Sequence, residues 1–154
     1  MGLDMYLTKR NDIRQGDFYK PEHRQEVIVK TGGEIDTTID PKKVSVVIED
    51  VGYWRKANHI HNWFVKNVQD DKDDCREYRV SEDELKSLHD TCKKVLENRE
   101  LVEELLPTQG GFFFGNTDYD EWYFQDVEDT VKIIDDILAN DPELNESYYY
   151  QSSW

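Results

Sequence analysis

The spacing of apolar residues changes along the chain, and this change limits the possible folds most strongly. Over residues 1–9, apolar and polar side chains alternate, which is the period of a β-strand with one buried face. In three later segments apolar residues recur at every third or fourth position, as in amphipathic helices. We therefore predict an α+β fold, with a mainly antiparallel sheet of about four to six strands and three main helices packed on one face.

Local signals place the predicted helices. Ser81 followed by Glu84 is typical of a capping box, so a helix should begin directly after Ser81. Thr117, with Asp120 three residues on, is predicted to cap the last long helix. A shorter helical stretch should end at Pro107, because proline cannot continue a helix. The predicted helices are residues 54–68, 81–98, 101–106 and 117–140.

Turn residues and β-formers place the predicted strands. Gly32 and Gly33 can adopt the positive φ of a tight turn, so the residues on either side should form a hairpin. The tyrosines at 148–150 favour a late strand, because aromatic residues suit a pleated surface. The predicted strands are residues 1–9, 26–30, 34–39, 44–48, 75–80 and 147–154. Residues 112–114 are either a small strand or an aromatic loop.

The charge is unevenly distributed along the 154 residues, a length that fits a single domain. Residues 101–154 hold 13 acidic side chains against Lys132 alone, a balance of −12, whereas the first hundred hold 18 basic and 21 acidic groups, a balance of −3. Such an acidic region would repel a phosphate backbone, so direct binding of nucleic acid is not expected. No apolar run is long enough for a membrane span, and Cys75 and Cys92 are predicted to be reduced thiols. These features predict a cytoplasmic protein.

Two polar residues are predicted to point inward from the helix over 54–68. At 100° per residue, His61 falls within the apolar arc and Asn58 at its edge. Each must meet a hydrogen-bonding group or face a wet pocket. Two interpretations stay open: His61 is tied to a backbone carbonyl or a tyrosine hydroxyl in the core, or both residues line a ligand pocket.

Two neighbouring cations and a glycine-rich segment add to the second interpretation. Arg55 and Lys56 need a negative partner, which is either an acidic side chain of the C-terminal helix or an anionic small molecule such as a nucleotide. Residues 106–117 precede a helix, a setting in which phosphates bind backbone N–H groups. Because Asp118 and Asp120 crowd that helix start, a phosphate would need Arg55 or Lys56 close by. The other interpretation is an aromatic plug in the core.

The sequence contains no established pattern for a metal or a cofactor. His59 and His61 lie two positions apart, so on a helix they point in nearly opposite directions and cannot share one ion. No HExxH, paired CxxC, EF-hand loop or nucleophile elbow is present. We predict no metal, no cofactor and no catalytic residue.

Four segments of the chain form a recognisable set: residues 1–7 (MGLDMYL), 52–64 (GYWRKANHIHNWF), 105–115 (LLPTQGGFFFG) with 119–121 (YDE), and 149–154 (YYQSSW). Together they resemble a family of small proteins of bacteriophages and prophages with no established activity. The resemblance covers most of one domain, residues 1–154, and leaves residues 10–43 as a variable hairpin insertion. It implies a phage or prophage setting in the host cytosol.

In that setting, the sequence predicts a non-enzymatic accessory protein that binds, and thereby inhibits, a host macromolecule through an acidic C-terminal surface. The partner would be a host protein, including one that itself binds nucleic acid. An acidic helix is equally typical of a merely solvated surface. The predicted contact residues are Asp118, Asp120, Glu121, Asp126, Glu128, Asp129, Asp135 and Asp136.

Two alternatives remain. One is a protein or hydrolase that binds an anionic, nucleotide-like small molecule. The other is a structural protein that forms homo-oligomers. The predicted ligand-binding residues are Trp54, Arg55, Lys56, Asn58, His61, Gln109 and Phe113.

Overall fold

The computed structural model describes residues 2–140 and 146–154, and it has the predicted α+β fold. Met1, at the start of the first predicted strand, lies outside the described residues. The strands are β1 (Asp4–Asp12), β2 (Lys30–Thr31), β3 (Glu34–Ile35), β4 (Val46–Arg55), β5 (Tyr78–Val80) and β6 (Glu146–Ser153). The helices are α1 (Asn58–Asn67), α2 (Glu82–Glu97), α3 (Val102–Leu105) and α4 (Glu121–Leu138).

The main sheet has the strand order β4-β1-β6-β5, and every neighbouring pair is antiparallel. Strand β1 is central, with Leu7 opposite Gly52 on one side and Tyr150 on the other. The register of β1 and β4 shifts between Leu7 and Thr8, which marks a bulge. Strands β2 and β3 form a separate two-stranded sheet.

The helices pack against one face of the main sheet. Leu3, Met5 and Leu7 are fully buried, whereas Tyr6 between them is 40% exposed, as expected for alternate residues of a strand that is covered on one side. Helix α4 approaches this face closely, because a Cβ added to Gly52 would lie 3.0 Å from Cγ2 of Ile133. Burial of this face supplies the main stabilisation of the fold.

Helix α2 confirms the prediction made from its cap. The Ser81 hydroxyl accepts from the Glu84 backbone N–H at 3.1 Å, and the Glu84 carboxylate accepts from the Ser81 N–H at 2.7 Å. The helix ends at Glu97, within one residue of the predicted end. Its buried residues are Leu85, Leu88, Cys92 and Val95.

The prediction of a helix beginning at Trp54 is wrong. Trp54 and Arg55 are the last residues of β4, where Trp54 lies opposite Met5. Pairing with β1 therefore prevails over the helical spacing, and in place of the predicted strand 44–48 the strand begins at Val46 and ends at Arg55. Lys56, at φ 58°, turns the chain away from the sheet, and α1 begins two residues later at Asn58.

The predicted N-cap at Thr117 is also wrong. Helix α4 begins at Glu121, and its cap is Asp120, whose carboxylate accepts from the Tyr123 backbone N–H at 3.0 Å. Aspartate caps a helix as well as threonine does, so both positions satisfy the local rule. The carbonyl of Thr117 instead accepts from the Thr108 hydroxyl at 3.0 Å, within the loop that precedes the helix.

Several predicted strands are shorter in the structure. The hairpin around Gly32 and Gly33 is present, with both glycines at positive φ, but each of its strands has only two residues. The edge strand β5 has three residues and leaves Cys75 outside it, exposed to solvent, whereas Cys92 is buried. Residues 112–114 belong to a turn rather than a strand.

Candidate ligand-binding cleft

His61 is a core histidine. It is fully buried, with Nδ1 2.7 Å from the Tyr150 hydroxyl and Nε2 3.0 Å from Oδ1 of Asp73. An ionised carboxylate can only accept, so the imidazole proton lies on Nε2 and the Tyr150 hydroxyl donates to Nδ1. Burial lowers the pKa of His61, and the charge of Asp73 opposes this shift only in part. The first of the two interpretations of His61 is therefore the one observed.

Asn58 fastens the glycine-rich loop to the start of α1. Its side-chain amide donates to the carbonyls of Phe114 at 3.0 Å and Asn116 at 2.8 Å, and its Oδ1 accepts from the Gln109 backbone N–H at 2.9 Å. The residue is 2% exposed, and these three contacts use both its donors and its acceptor. Asn58 is therefore a positioning residue, which holds one wall of an adjoining cleft.

The cleft lies where four segments meet: the end of β4, the start of α1, the loop before α4 and the first turns of α4. Its volume is about 220 Å³. Some of its polar residues are committed to internal bonds and serve the fold. Asn116 donates to Asp120 at 3.0 Å, and the Tyr123 hydroxyl donates to the Leu106 carbonyl at 2.7 Å. Asn58 is committed as described above, and the Thr108 hydroxyl donates to the Thr117 carbonyl, so the polar groups left for a ligand belong to other residues of the cleft.

His59 is the most unusual of these residues. It is 3% exposed and lines the cleft, yet its Nε2 has no hydrogen-bond partner within the described residues. Its ring packs on Tyr123 with centroids 4.1 Å apart. Burial lowers the pKa of His59 to about 3, and the Tyr123 backbone and the charge of Asp120 oppose this only in part. The imidazole is therefore neutral at pH 7 and holds one unused polar atom.

Asp126 is the second unsatisfied group of the cleft. It is half-buried, and its carboxylate makes no hydrogen bond or ion pair within residues 2–140 and 146–154. Burial, with a smaller contribution from the negative charges of Asp129 and Asp120, raises the pKa of Asp126 to about 7. Near pH 7 the carboxyl of Asp126 is therefore protonated in about half of the molecules.

The predicted cations lie at the mouth of the same cleft. Lys56 is exposed, packs its aliphatic stem near Gly115 and makes no ion pair in the described part of the chain. Nε of Arg55 lies 3.9 Å from Oδ1 of Asp4, the outer limit of an ion pair. Trp122 stands at the rim with its indole 78% exposed. The cleft therefore presents positive charge, negative charge and an aromatic surface.

The predicted ligand-binding residues divide into two groups. Arg55, Lys56 and Asn58 line the cleft, whereas Trp54 and His61 are core residues, with Trp54 Nε1 donating to the Thr130 hydroxyl at 2.8 Å. Gln109 is exposed and Phe113 is half-buried against Phe112, and neither is among the residues that line the cleft. Sequence reasoning did not assign His59, Trp122, Tyr123 or Asp126 to a ligand site.

The eight predicted partner-binding carboxylates fall into three groups. Three of them line the cleft, and three make contacts with positively charged or titratable side chains. Glu128 and Asp136 are exposed, and Asp136 also borders a second cavity of about 250 Å³ beside Lys9. The cleft residues are Asp118, Asp120 and Asp126, and the paired ones are Glu121 with Arg99 at 2.9 Å, Asp129 with Lys132 at 3.4 Å and Asp135 with His89 at 2.7 Å.

Within the described residues, no group of three or more His, Cys, Asp or Glu side chains is placed to hold a metal ion. In the same part of the chain, no helix combines the length and apolar character needed to cross a membrane. No family model, curated protein or solved structure matches the chain.

Proposed function

We propose that the protein binds a small molecule with a negatively charged group in the cleft at the start of α4. The observation that carries this proposal is that Lys56, which has no ion pair among the described residues, lines the same cleft as His59, a buried residue whose Nε2 lacks a hydrogen-bond partner in that part of the chain. A buried polar atom without a partner costs about 1–3 kcal/mol, and a ligand that supplies the partner recovers this energy.

The size and charge of the cleft limit the ligand. A volume of about 220 Å³ equals about seven water molecules and lies below the range typical of drug-sized ligands. Asp118 and Asp126 would repel a polyphosphate, so a single phosphate or carboxylate fits better. In a nucleotide-like ligand, the aromatic base would stack on the exposed indole of Trp122. The proposal concerns binding and assigns no catalytic residue.

Replacement of Lys56 by glutamine should weaken the binding of such anions about tenfold, because a charge-assisted contact is lost while the backbone at positive φ is unchanged. Thermal-shift titrations with inorganic phosphate, acetate and AMP would measure this, since a ligand raises the melting temperature in proportion to its binding free energy. Lys93→Gln, an equal charge change on an exposed part of α2, is the matched control. Equal loss in both variants, or no shift with any anion in the native chain, would refute the proposal.

A second candidate follows from the acidic outer face of α4: a non-enzymatic phage or prophage accessory protein that binds and inhibits a basic host protein in the host cytosol. Glu121, Gln125, Glu128 and Asp136 fall on one side of the helix at 100° per residue, and all are exposed. Lys132 is the cation among them, so the net charge of this face is negative. Such a face attracts positively charged partners over a Debye length.

The double change Glu128→Gln with Asp136→Asn should weaken a host complex by several-fold and flatten its dependence on salt, because two exposed charges are removed. The test is to capture a host protein from lysate with the native chain and then to measure its affinity for each variant at low and at high salt. Glu97→Gln with Glu103→Gln, on exposed positions outside α4, provides the control. If both double variants behave alike, the outer face of α4 is only a solvated surface.

A further inference from the structure

We propose that the ligand of the cleft is a small zwitterion, whose anionic group pairs with Lys56 and whose protonated amine pairs with the carboxylate of Asp126. This inference rests on the proposed small-molecule binding and names the chemical class of the ligand. It follows from the groups of the cleft that the fold leaves without partners.

Side chains of both charges line the cleft. The cleft is lined by two cations, Arg55 and Lys56, and by three carboxylates. The carboxylate of Asp120 accepts from the Tyr123 N–H at the cap of α4 and from Asn116. The carboxylates of Asp118 and Asp126 are left without hydrogen-bond partners in the described chain. A purely anionic ligand would satisfy Lys56 but would be repelled by these two carboxylates. A ligand with both signs of charge satisfies both sides.

The ionised form of Asp126 is destabilised while the residue has no positively charged partner. Its carboxyl is half-buried, and burial together with neighbouring carboxylates raises its pKa to about 7. A protonated amine next to Asp126 would favour the ionised form and remove this destabilisation. Because no metal-holding group of side chains is found in residues 2–140 and 146–154, an ammonium is a better counter-charge here than a metal ion.

His59 is an uncharged polar residue in the wall of the cleft. Its side chain is more than nine-tenths buried, it lines the cleft, and its Nε2 is without a partner among the described residues. The imidazole is neutral, since burial lowers the pKa of His59 to about 3, so it does not repel an amine. A neutral ring nitrogen can accept from an ammonium N–H or donate to a ligand oxygen, depending on the tautomer. His59 also lines a second, smaller cavity of about 130 Å³, so the ring lies between the two, and a zwitterion in the cleft meets an uncharged wall at this residue.

The pH dependence of binding follows from Asp126. The ionised form receives the amine, and with a pKa of about 7 the ionised fraction rises about tenfold between pH 6 and pH 8. Affinity for the zwitterion should therefore increase over this interval. His59, whose pKa burial lowers to about 3, stays neutral over this interval. Charged or titratable groups surround Asp126 on every side of the cleft. They are Asp120, Tyr123 and Asp129 from α4 and its cap, Asp118 from the preceding loop, His59 from α1, and Arg55 and Lys56 from the end of β4 and the turn after it.

Two matched sets of probes test the inference by calorimetric titration of the full chain. The first set is phosphoethanolamine, ethyl phosphate and ethylamine, and the second is β-alanine, propionate and propylamine. The zwitterion of one set should bind at least tenfold more tightly than its anionic and cationic counterparts, and the set that does so identifies phosphate or carboxylate as the anionic group. At pH 6 this preference should shrink.

Asp126→Asn should reduce the affinity for the zwitterion at least tenfold, to that of the simple anion, and abolish its pH dependence. Glu97→Gln, an equal charge change at an exposed position of α2, should leave binding unchanged. If the simple anion binds as tightly as the zwitterion to the native chain, the inference is overturned and the proposed anion binding stands. If only the amine binds, or if no probe binds, both are overturned.

Discussion

Replacing Asn58 with alanine should destabilise the protein by about 3 kcal/mol. The substitution leaves two carbonyls, of Phe114 and Asn116, and the Gln109 N–H without their present partner, and each unsatisfied buried group costs about 1–3 kcal/mol. Water can reach part of the loop, so the total stays below the simple sum. For a domain of this size the melting temperature should fall by about 6–12 °C, which thermal unfolding monitored by circular dichroism would show.

Asn62→Ala is the matched control for this prediction. Asn62 lies one turn further along α1, is also buried, and makes one longer hydrogen bond, of 3.3 Å, to the Pro107 carbonyl. Its loss should cost about 1 kcal/mol. A change at Asn58 that costs no more than the change at Asn62 would mean that the loop before α4 does not depend on the side chain of Asn58.

Replacing Tyr150 with phenylalanine should destabilise the protein by about 2 kcal/mol. Tyr150 is fully buried, and its ring stacks on Phe64 with centroids 3.9 Å apart and planes at 8°, a packing that phenylalanine retains. The change therefore isolates the hydroxyl, whose loss leaves Nδ1 of buried His61 without a donor. Chemical denaturation should show a lower midpoint with an unchanged slope, because the surface exposed on unfolding is the same.

Tyr149→Phe removes the same atom from a neighbouring position. Tyr149 is half-buried on the opposite side of β6, with the Arg10 guanidinium 4.2 Å above its ring, a contact that does not need the hydroxyl. This variant should stay within about 0.5 kcal/mol of the native chain. Equal stability of the two variants would indicate that the contact between Tyr150 and His61 contributes nothing to folding.

Elements fixed by neighbouring residues could be predicted from the sequence. The cap of α2 depends on Ser81 and Glu84, three positions apart, and both the start and the end of this helix were predicted correctly. Trp54 shows the limit of such reasoning. Its position in β4 depends on Met5, 49 residues earlier in the sequence, and no local pattern reports that pairing.

The candidate site was predictable only where its residues are adjacent in the chain. Arg55, Lys56 and Asn58 form one short segment, and all three line the cleft. His59 was overlooked because we expected α1 to be buried on one side, whereas all residues from Asn58 to Phe64 are buried. Asp126 gave a weak signal, since it lies only about 40° around α4 from buried Thr130. Its depth depends on packing that the sequence does not state.

The central place of β1 has a consequence for how the molecule is made. On the ribosome, β1 emerges well before β6, because Leu7 pairs with Tyr150, which lies 143 positions later in the chain. Until β6 is made, the nascent chain holds an incomplete sheet with an unpaired edge on β1, which exposes it to aggregation. The main sheet is therefore completed only after β6 has been synthesised, rather than strand by strand.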